Sequence, residues 1–343
     1  FRPAGKYESS HVEYGLDRWY MLYYKADVAP TTVVETYVGS DQVQSGNPVY
    51  KKTPQEIGNP SNSIDDSTSG KTRDSGVIPD DPNYDQQWHY NNTGQSGGEE
   101  DADINLPEAH SLETGNSEVI ISIVDTGVDL DHPDIQNMLW INEEEDINNN
   151  GQFEPYPASE GGDLNGEDDD NSNFVDDVVG YDHVKGDAVP NPNDPSIEDH
   201  GTHVAGTVAA ENGNGQYGAG VAGGNGSSGS GVRLMINRLF EYQESDTIAA
   251  DNYEQIYTYA ADNGAIVSNN SWNGPGDIPS SLQEAINYYR DNAGGSGAPL
   301  DGGIFVGSAG NGRCDGNPGG DPVSCTFPAN YEPVFTVGAT NDS

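Results

Sequence analysis

Regular alternation of hydrophobic and polar positions sets in at about residue 104. Val119-Ile120-Ile121-Ser122-Ile123-Val124 is a nearly continuous apolar run, the pattern of a strand buried on both faces of a parallel sheet. Val232 to Phe240, Ala265 to Asn270, Gly303 to Ala309 and Pro333 to Gly338 read as further strands. Leu106 to Glu113, His203 to Glu211, Asp246 to Asn263 and Pro279 to Asn292 read as helices, with Gly264 as the stop of the third. Strands alternating with helices predict an α/β fold, a parallel sheet with helices on both faces. Its ligand chemistry belongs at the carboxyl ends of the strands.

Upstream the pattern changes. Trp19 to Tyr24 and Val33 to Val38 read as short strand-like or mixed elements within a first block, residues 1–52. Residues 53–82 are rich in Pro, Ser, Asn, Asp and Gly with little periodicity, as expected of a linker open to proteolysis. The remaining unit is 83–343.

Composition narrows the function classes. Thirteen Lys and Arg face 57 Asp and Glu, a formal net charge of −44. Phosphate recognition needs clustered basic residues, so a nucleic-acid partner is excluded. The sequence has no run of 18 apolar residues, so no membrane span is expected. So much like charge calls for screening salt or bound cations. Residues 143–182 alone hold 14 Asp and Glu and no Lys or Arg.

Three segments carry candidate chemistry. Asp125-Thr126-Gly127 follows the first apolar strand, where a carboxylate can accept a hydrogen bond in a cleft; by itself it also reads as a turn. Asp199-His200-Gly201-Thr202-His203-Val204-Ala205-Gly206 sets a His before a helix of small residues. The spacing of His200 and His203 also fits two metal ligands on one helical turn, although no His-Glu-x-x-His run occurs. Gly307-Ser308-Ala309-Gly310-Asn311-Gly312 follows another strand, where an Asn amide can donate to an oxyanion.

Taken together, and in this order, the segments resemble the subtilisin-like serine proteases over about residues 80–343. The resemblance implies a subtilisin-like fold, Asp125 as orienting acid, His200 as general base and Asn311 as oxyanion-hole donor. His203 matches the family's second, non-catalytic His. Ser271-Trp272-Asn273-Gly274 matches the family segment that pairs with an extended peptide substrate, although Trp272 equally reads as core packing, and the family often has Gly where Asn273 stands. Residues 1–52 would be the C-terminal part of an inhibitory propeptide, a small α+β remnant, with the cut between Thr53 and Pro82. Protein and peptide substrates, the chain's own propeptide as a partner, a monomer and secretion follow from the same resemblance.

The family's Gly-Thr-Ser nucleophile segment does not occur in the 343 residues. The expectation is a fragment that stops before the catalytic Ser and does not itself hydrolyse peptides. The competing readings are a non-catalytic pseudoprotease and a calcium-binding adhesive module.

Two acidic loops have the spacing of calcium ligands. Asp168, Asp170 and Ser172 fall on alternate positions, the Phe174 carbonyl and Asp177 follow, and the segment resembles a calcium loop of some subtilases; a solvated acidic loop is the competing reading. Asp146, Asn148, Asn150 and Gln152 begin like an EF-hand loop with Gly151 at its sixth position, but Pro157 stands where the closing Glu belongs, which leaves that role to a residue such as Glu160. Oxygen donors without His or Cys favour structural Ca²⁺. Cys314 and Cys325 are the only cysteines; in an exported protein they read as one disulfide, otherwise as two free thiols.

Overall fold

The computed structural model describes residues 11, 38, 53–54, 78–243, 246–295, 298–310 and 326–339. The strand-like runs expected at 19–24 and 33–38, and with them the α+β propeptide remnant, fall outside this set except for His11 and Val38, as do Asn311, Cys314 and Cys325.

In chain order the elements are β1 (Thr53–Pro54), α1 (Leu106–His110), β2 (Ile120–Asp125), β3 (Gly180–Asp182), α2 (His200–Ala209), β4 (Arg233–Arg238), β5 (Phe240–Gln243), β6 (Asp246–Ala249), α3 (Glu254–Asp262), β7 (Val267–Asn270), β8 (Trp272–Pro275), α4 (Ser280–Asn292), β9 (Ile304–Ser308), β10 (Thr326–Phe327) and β11 (Phe335–Val337). Six strands form one sheet in the order β11-β9-β7-β2-β4-β3, and its pairings are parallel. The predicted α/β fold is present.

The apolar run of β2 is legible in the packing. Val124 of β2 and Met235 of the adjacent β4 face a core shared with Ile256, Tyr257, Leu282 and Tyr289 of α3 and α4. Ile123, Leu234 and Ile236 face the other way, against Ala205 and Ala209 of α2. Period-2 alternation thus buries both faces, each under its own helices.

One helix begins later than its pattern suggested. The stretch from Asp246 splits into β6, which pairs antiparallel with β5, and α3, which starts at Glu254. The amide of Ala250 donates to Leu239 O at 2.9 Å, which holds the hairpin to the end of β4. In addition, Thr53 and Pro54, expected in a linker, form a strand: Thr53 lies opposite Asn273 and Pro54 opposite Trp272, antiparallel on β8.

Candidate active site

The centre of the sheet ends in a row of polar residues. In register at the carboxyl ends of β2, β4 and β3 stand Asp125, Arg238 and Asp182. The N-terminus of α2 approaches this edge and brings His200 with it. His200 Nδ1 lies 2.7 Å from Asp125 Oδ1, with both side chains buried. The amide of Thr126 donates to the same carboxylate oxygen at 2.8 Å. An ionised carboxylate only accepts, so the imidazole nitrogen facing it carries the proton. The tautomer is thereby fixed, which leaves Nε2 as the nitrogen free to accept a proton.

Close approach depends on glycine. A Cβ on Gly201 would lie 2.1 Å from the carbonyl oxygen of Gly127 and 3.2 Å from Asp125 Oδ1. Gly127 itself has φ +91°, a conformation that side chains resist. The amide of Gly201 donates to Thr126 Oγ1 at 3.0 Å, joining helix and strand end directly.

Behind the pair sits Arg238, fully buried. Its Nε donates to the carbonyl of Thr126 at 3.1 Å, Nη1 to Asp182 Oδ2 at 2.8 Å, and Nη2 to the Glu198 carboxylate at 3.2 Å. One guanidinium therefore ties the residue after Asp125 to a residue two places before His200. Burial pushes the Asp182 carboxyl up, opposed by the Lys185 amide and by Arg238. Sequence reasoning missed this residue. The available signal was a lone Arg closing an apolar strand in a chain with few cations.

The expected substrate segment divides. Trp272 is fully buried and packs edge-on against Phe240, Tyr253 and Phe327, so its side chain belongs to the core and only its backbone serves the strand. Gly274 lies under Phe327, whose ring a Cβ would meet at 2.2 Å. Asn273 donates through Nδ2 to Ser308 O at 2.9 Å, linking β8 to the end of β9. Ser271 Oγ accepts from Asn269 Nδ2 at 3.1 Å. The backbone of β8 lies between β1 and β10.

The acidic loops are also rearranged relative to their spacing. Asp168 accepts the amides of Ser172 and Asn173 at 3.0 and 2.9 Å, and Ser172 Oγ accepts that of Phe174 at 3.1 Å. Two of the expected ligands converge with a residue outside the loop: Glu145, Asp170 and Asp177 each place a carboxylate oxygen within 4.8 Å of the other two, all buried. Among the described residues this is the one His, Cys, Asp or Glu group of that kind, and His200 and His203 are not part of it. Glu145 Oε1 accepts the amides of Asp169 and Asp170. Its Oε2 and both oxygens of Asp177 are buried without a hydrogen-bond partner. Burial, reinforced by the neighbouring carboxylates, pushes Glu145 up to about 7 and Asp177 up to about 8. Glu145 was missed because it lies 25 residues before Asp170, beyond the reach of any loop-spacing rule. Orphaned, buried oxygen donors are what a hard divalent cation satisfies.

Comparison with known proteins adds independent findings. The pattern of the Subtilase family matches residues 116–343. The chain is 29% identical to "Endoprotease bli" of Onchocerca volvulus over 269 residues, which is 78% of this chain and 31% of that protein. It is 28% identical to the thermophilic serine proteinase of Bacillus sp. (strain AK1) over 234 residues, 68% of this chain and 41% of that one. It thus spans between 31% and 41% of the length of these curated relatives. Among solved structures, a protease from Pseudoalteromonas arctica aligns with 25% identity and a TM-score of 0.46 over 77% of this chain and 66% of that one.

Proposed function

The chain belongs to the subtilase family, and from that premise we propose that it carries the acid and base of a secreted serine endopeptidase that cuts peptide bonds through an Asp-His-Ser triad. The observation that carries the reading is the buried 2.7 Å bond between Asp125 and His200. Asp125 orients the imidazole and stabilises the imidazolium that forms when His200 takes the nucleophile's proton. Asn311 would donate to the oxyanion, a contribution on the order of 10²–10³ in rate.

Extended peptides would bind along β8 by strand addition in the place that Thr53–Pro54 occupy, which uses main-chain groups and tolerates varied sequences. That pairing directly after residues 1–52 favours this segment as a propeptide that leads into the substrate position. His11, bonded to Asp262 of α3 at 2.8 Å, gives this segment a second point of attachment. A Ca²⁺ ion held by Glu145, Asp170 and Asp177 would neutralise their converging charge, with Asp168, Ser172 and Phe174 shaping the loop. No described helix is long and apolar enough to cross a membrane.

The competing reading is a non-catalytic member of the family. One experiment separates the two. The full-length gene product is treated with a fluorophosphonate probe beside its Asp125→Asn and His200→Ala variants. Labelling that both variants suppress supports the protease. Absence of labelling in the folded, unaltered protein refutes it. The 343-residue polypeptide alone is expected to remain unlabelled.

A further inference from the structure

Beyond the cluster around Asp177, the insert between β2 and β3 contains a second loop rich in oxygen-bearing side chains. Asp146, Asn148 and Asn150 occupy alternate positions, and Gly151 follows with φ +72°. An EF-hand-type loop would close on a carboxylate at its twelfth position, which here is Pro157.

The structure supplies that carboxylate from further along the chain. After a turn at 158–161 the backbone passes beside residues 154–157, with Leu164 bridged to Pro157. The amides of Asp163 and Leu164 donate to the carbonyls of Glu154 and Tyr156, each at 3.2 Å, and the Ala158 amide donates to Leu164 O at 2.9 Å. Gly162 makes the return possible, since a Cβ there would lie 2.0 Å from Tyr156 O. Asp163 is carried inward and is fully buried. One oxygen, Oδ2, accepts the Glu154 amide at 2.8 Å. The other, Oδ1, is buried with no hydrogen-bond partner. Asp146 and Glu154 act on this carboxyl with like charge, and no Lys or Arg occurs between residues 143 and 182.

Glu154 also organises the two asparagines. Its carboxylate accepts the amide nitrogens of Asn148 and Asn150, each at 3.0 Å. Their oxygens are turned the opposite way and accept the loop amides of Asn150 and Gln152 at 3.1 and 2.8 Å. Asp146 Oδ2 accepts the Gly151 amide at 2.8 Å. The loop oxygens of Asp146, Asn148 and Asn150 are thus held by backbone amides and by Glu154, and Asp163, bonded to the Glu154 amide, brings a buried, unpartnered carboxylate oxygen to the same insert.

We propose that residues 146–163 form a divalent-cation site distinct from the Glu145–Asp170–Asp177 cluster, binding Ca²⁺ through side-chain oxygens of Asp146, Asn148, Asn150 and Asp163 and the backbone carbonyl of Gln152. Glu154 is a positioning residue that holds the asparagine amides and Asp163 from outside the ligand ring. All donors are oxygen, which selects Ca²⁺ over zinc. The cation replaces the missing carboxylate at position 157 with one that is remote in sequence, and it clips the insert to itself.

The test is calorimetric titration of the chelator-stripped full-length protein with CaCl₂. Asp163→Asn is expected to lose one calcium equivalent or to weaken its binding by about tenfold or more. Asp177→Asn is expected to lose a different equivalent, and the double variant both. Should Asp163→Asn fail to fold, the pair Asn148→Ala and Asn150→Ala, on exposed side chains, replaces it with the same expected loss. As a second readout, terbium luminescence sensitised by Tyr156, which is exposed, falls in Tyr156→Phe while calcium stoichiometry stays unchanged. A folded Asp163→Asn or double-asparagine variant that binds calcium with unaltered stoichiometry and affinity overturns the proposal, whether or not Asp177→Asn loses its ion.

Discussion

Replacing Asp177 by Asn removes a charge while keeping the size of the side chain, so it separates the cost of a buried carboxylate from its use as a ligand. Burial lifts the Asp177 carboxyl from its ordinary 3.8 to about 8. The folded state therefore holds this proton more tightly than the unfolded chain does. Its contribution to stability is complete below the unfolded value near 4 and is lost as pH rises toward 8. A change of that size corresponds at most to about 6 kcal/mol, and relaxation of the loop reduces it; a remainder of about 2 kcal/mol is a conservative expectation. For a domain of this size that is a rise in Tm of roughly 4–8 °C for Asp177→Asn in chelator at pH 8. At pH 5 the advantage shrinks, because the wild-type carboxyl is then protonated in the fold at little cost. Glu145, lifted to about 7 by burial, adds to the pH dependence with the same sign. Millimolar calcium reverses the order, since only the wild type keeps the full ligand set. Scanning calorimetry at both pH values, with chelator and with calcium, reads all four conditions. A variant less stable than wild type in chelator at pH 8 refutes the reasoning, as does an equal gain from calcium in both proteins.

Two other perturbations act on the site itself. Gly201→Ala sets a Cβ 2.1 Å from the backbone oxygen of Gly127, so α2 must retreat; a loss of about 1–3 kcal/mol in urea unfolding is expected. In an active full-length protein, a shift of about 1 Å at His200 lowers kcat/KM on the order of 10²-fold. Arg238→Met leaves Glu198 without its buried cation and Asp182 with only the more distant Lys185, and is expected to cost about 3–5 kcal/mol in the same urea assay.

What the sequence revealed follows the range over which its signals act. β2 was readable because six consecutive positions report on a strand enclosed by both helix layers. Asp125 and His200 were readable because each lies in a short segment whose neighbours, Gly127 and Gly201, are needed for the close approach seen in the structure. Asn173 adopts φ +73°, a left-handed conformation that Asn tolerates better than most residues. Signals that depend on distant partners were not readable. Helical periodicity ran through Asp246 to Ala249 because nothing local announces that β5 will pair with them. Glu145 and Asp163 complete their clusters across spacings no loop rule covers. Arg238 acquires its role only when three strands align.

That alignment suggests how the acidic insert bears on the catalytic pair. The insert leaves the sheet after β2 and returns at β3, so Asp177 lies three residues before Gly180, and β3 ends at Asp182. Asp182 holds Arg238, and Arg238 holds Thr126 beside Asp125 and Glu198 beside His200. Ordering the carboxylate cluster fixes one end of a strand whose other end fixes the guanidinium. A double-mutant cycle tests whether this chain of contacts transmits free energy. Asp177→Asn and Arg238→Lys are combined, and stability is measured in calcium. Contiguous contacts predict a coupling of about 0.5 kcal/mol or more. Additivity would show that β3 isolates the insert from the pair, and calcium would then govern the lifetime of the fold without touching the geometry of His200. Coupling would instead make calcium removal lower kcat in an active protein before the fold is lost, because the imidazole would lose its alignment while the sheet remained intact.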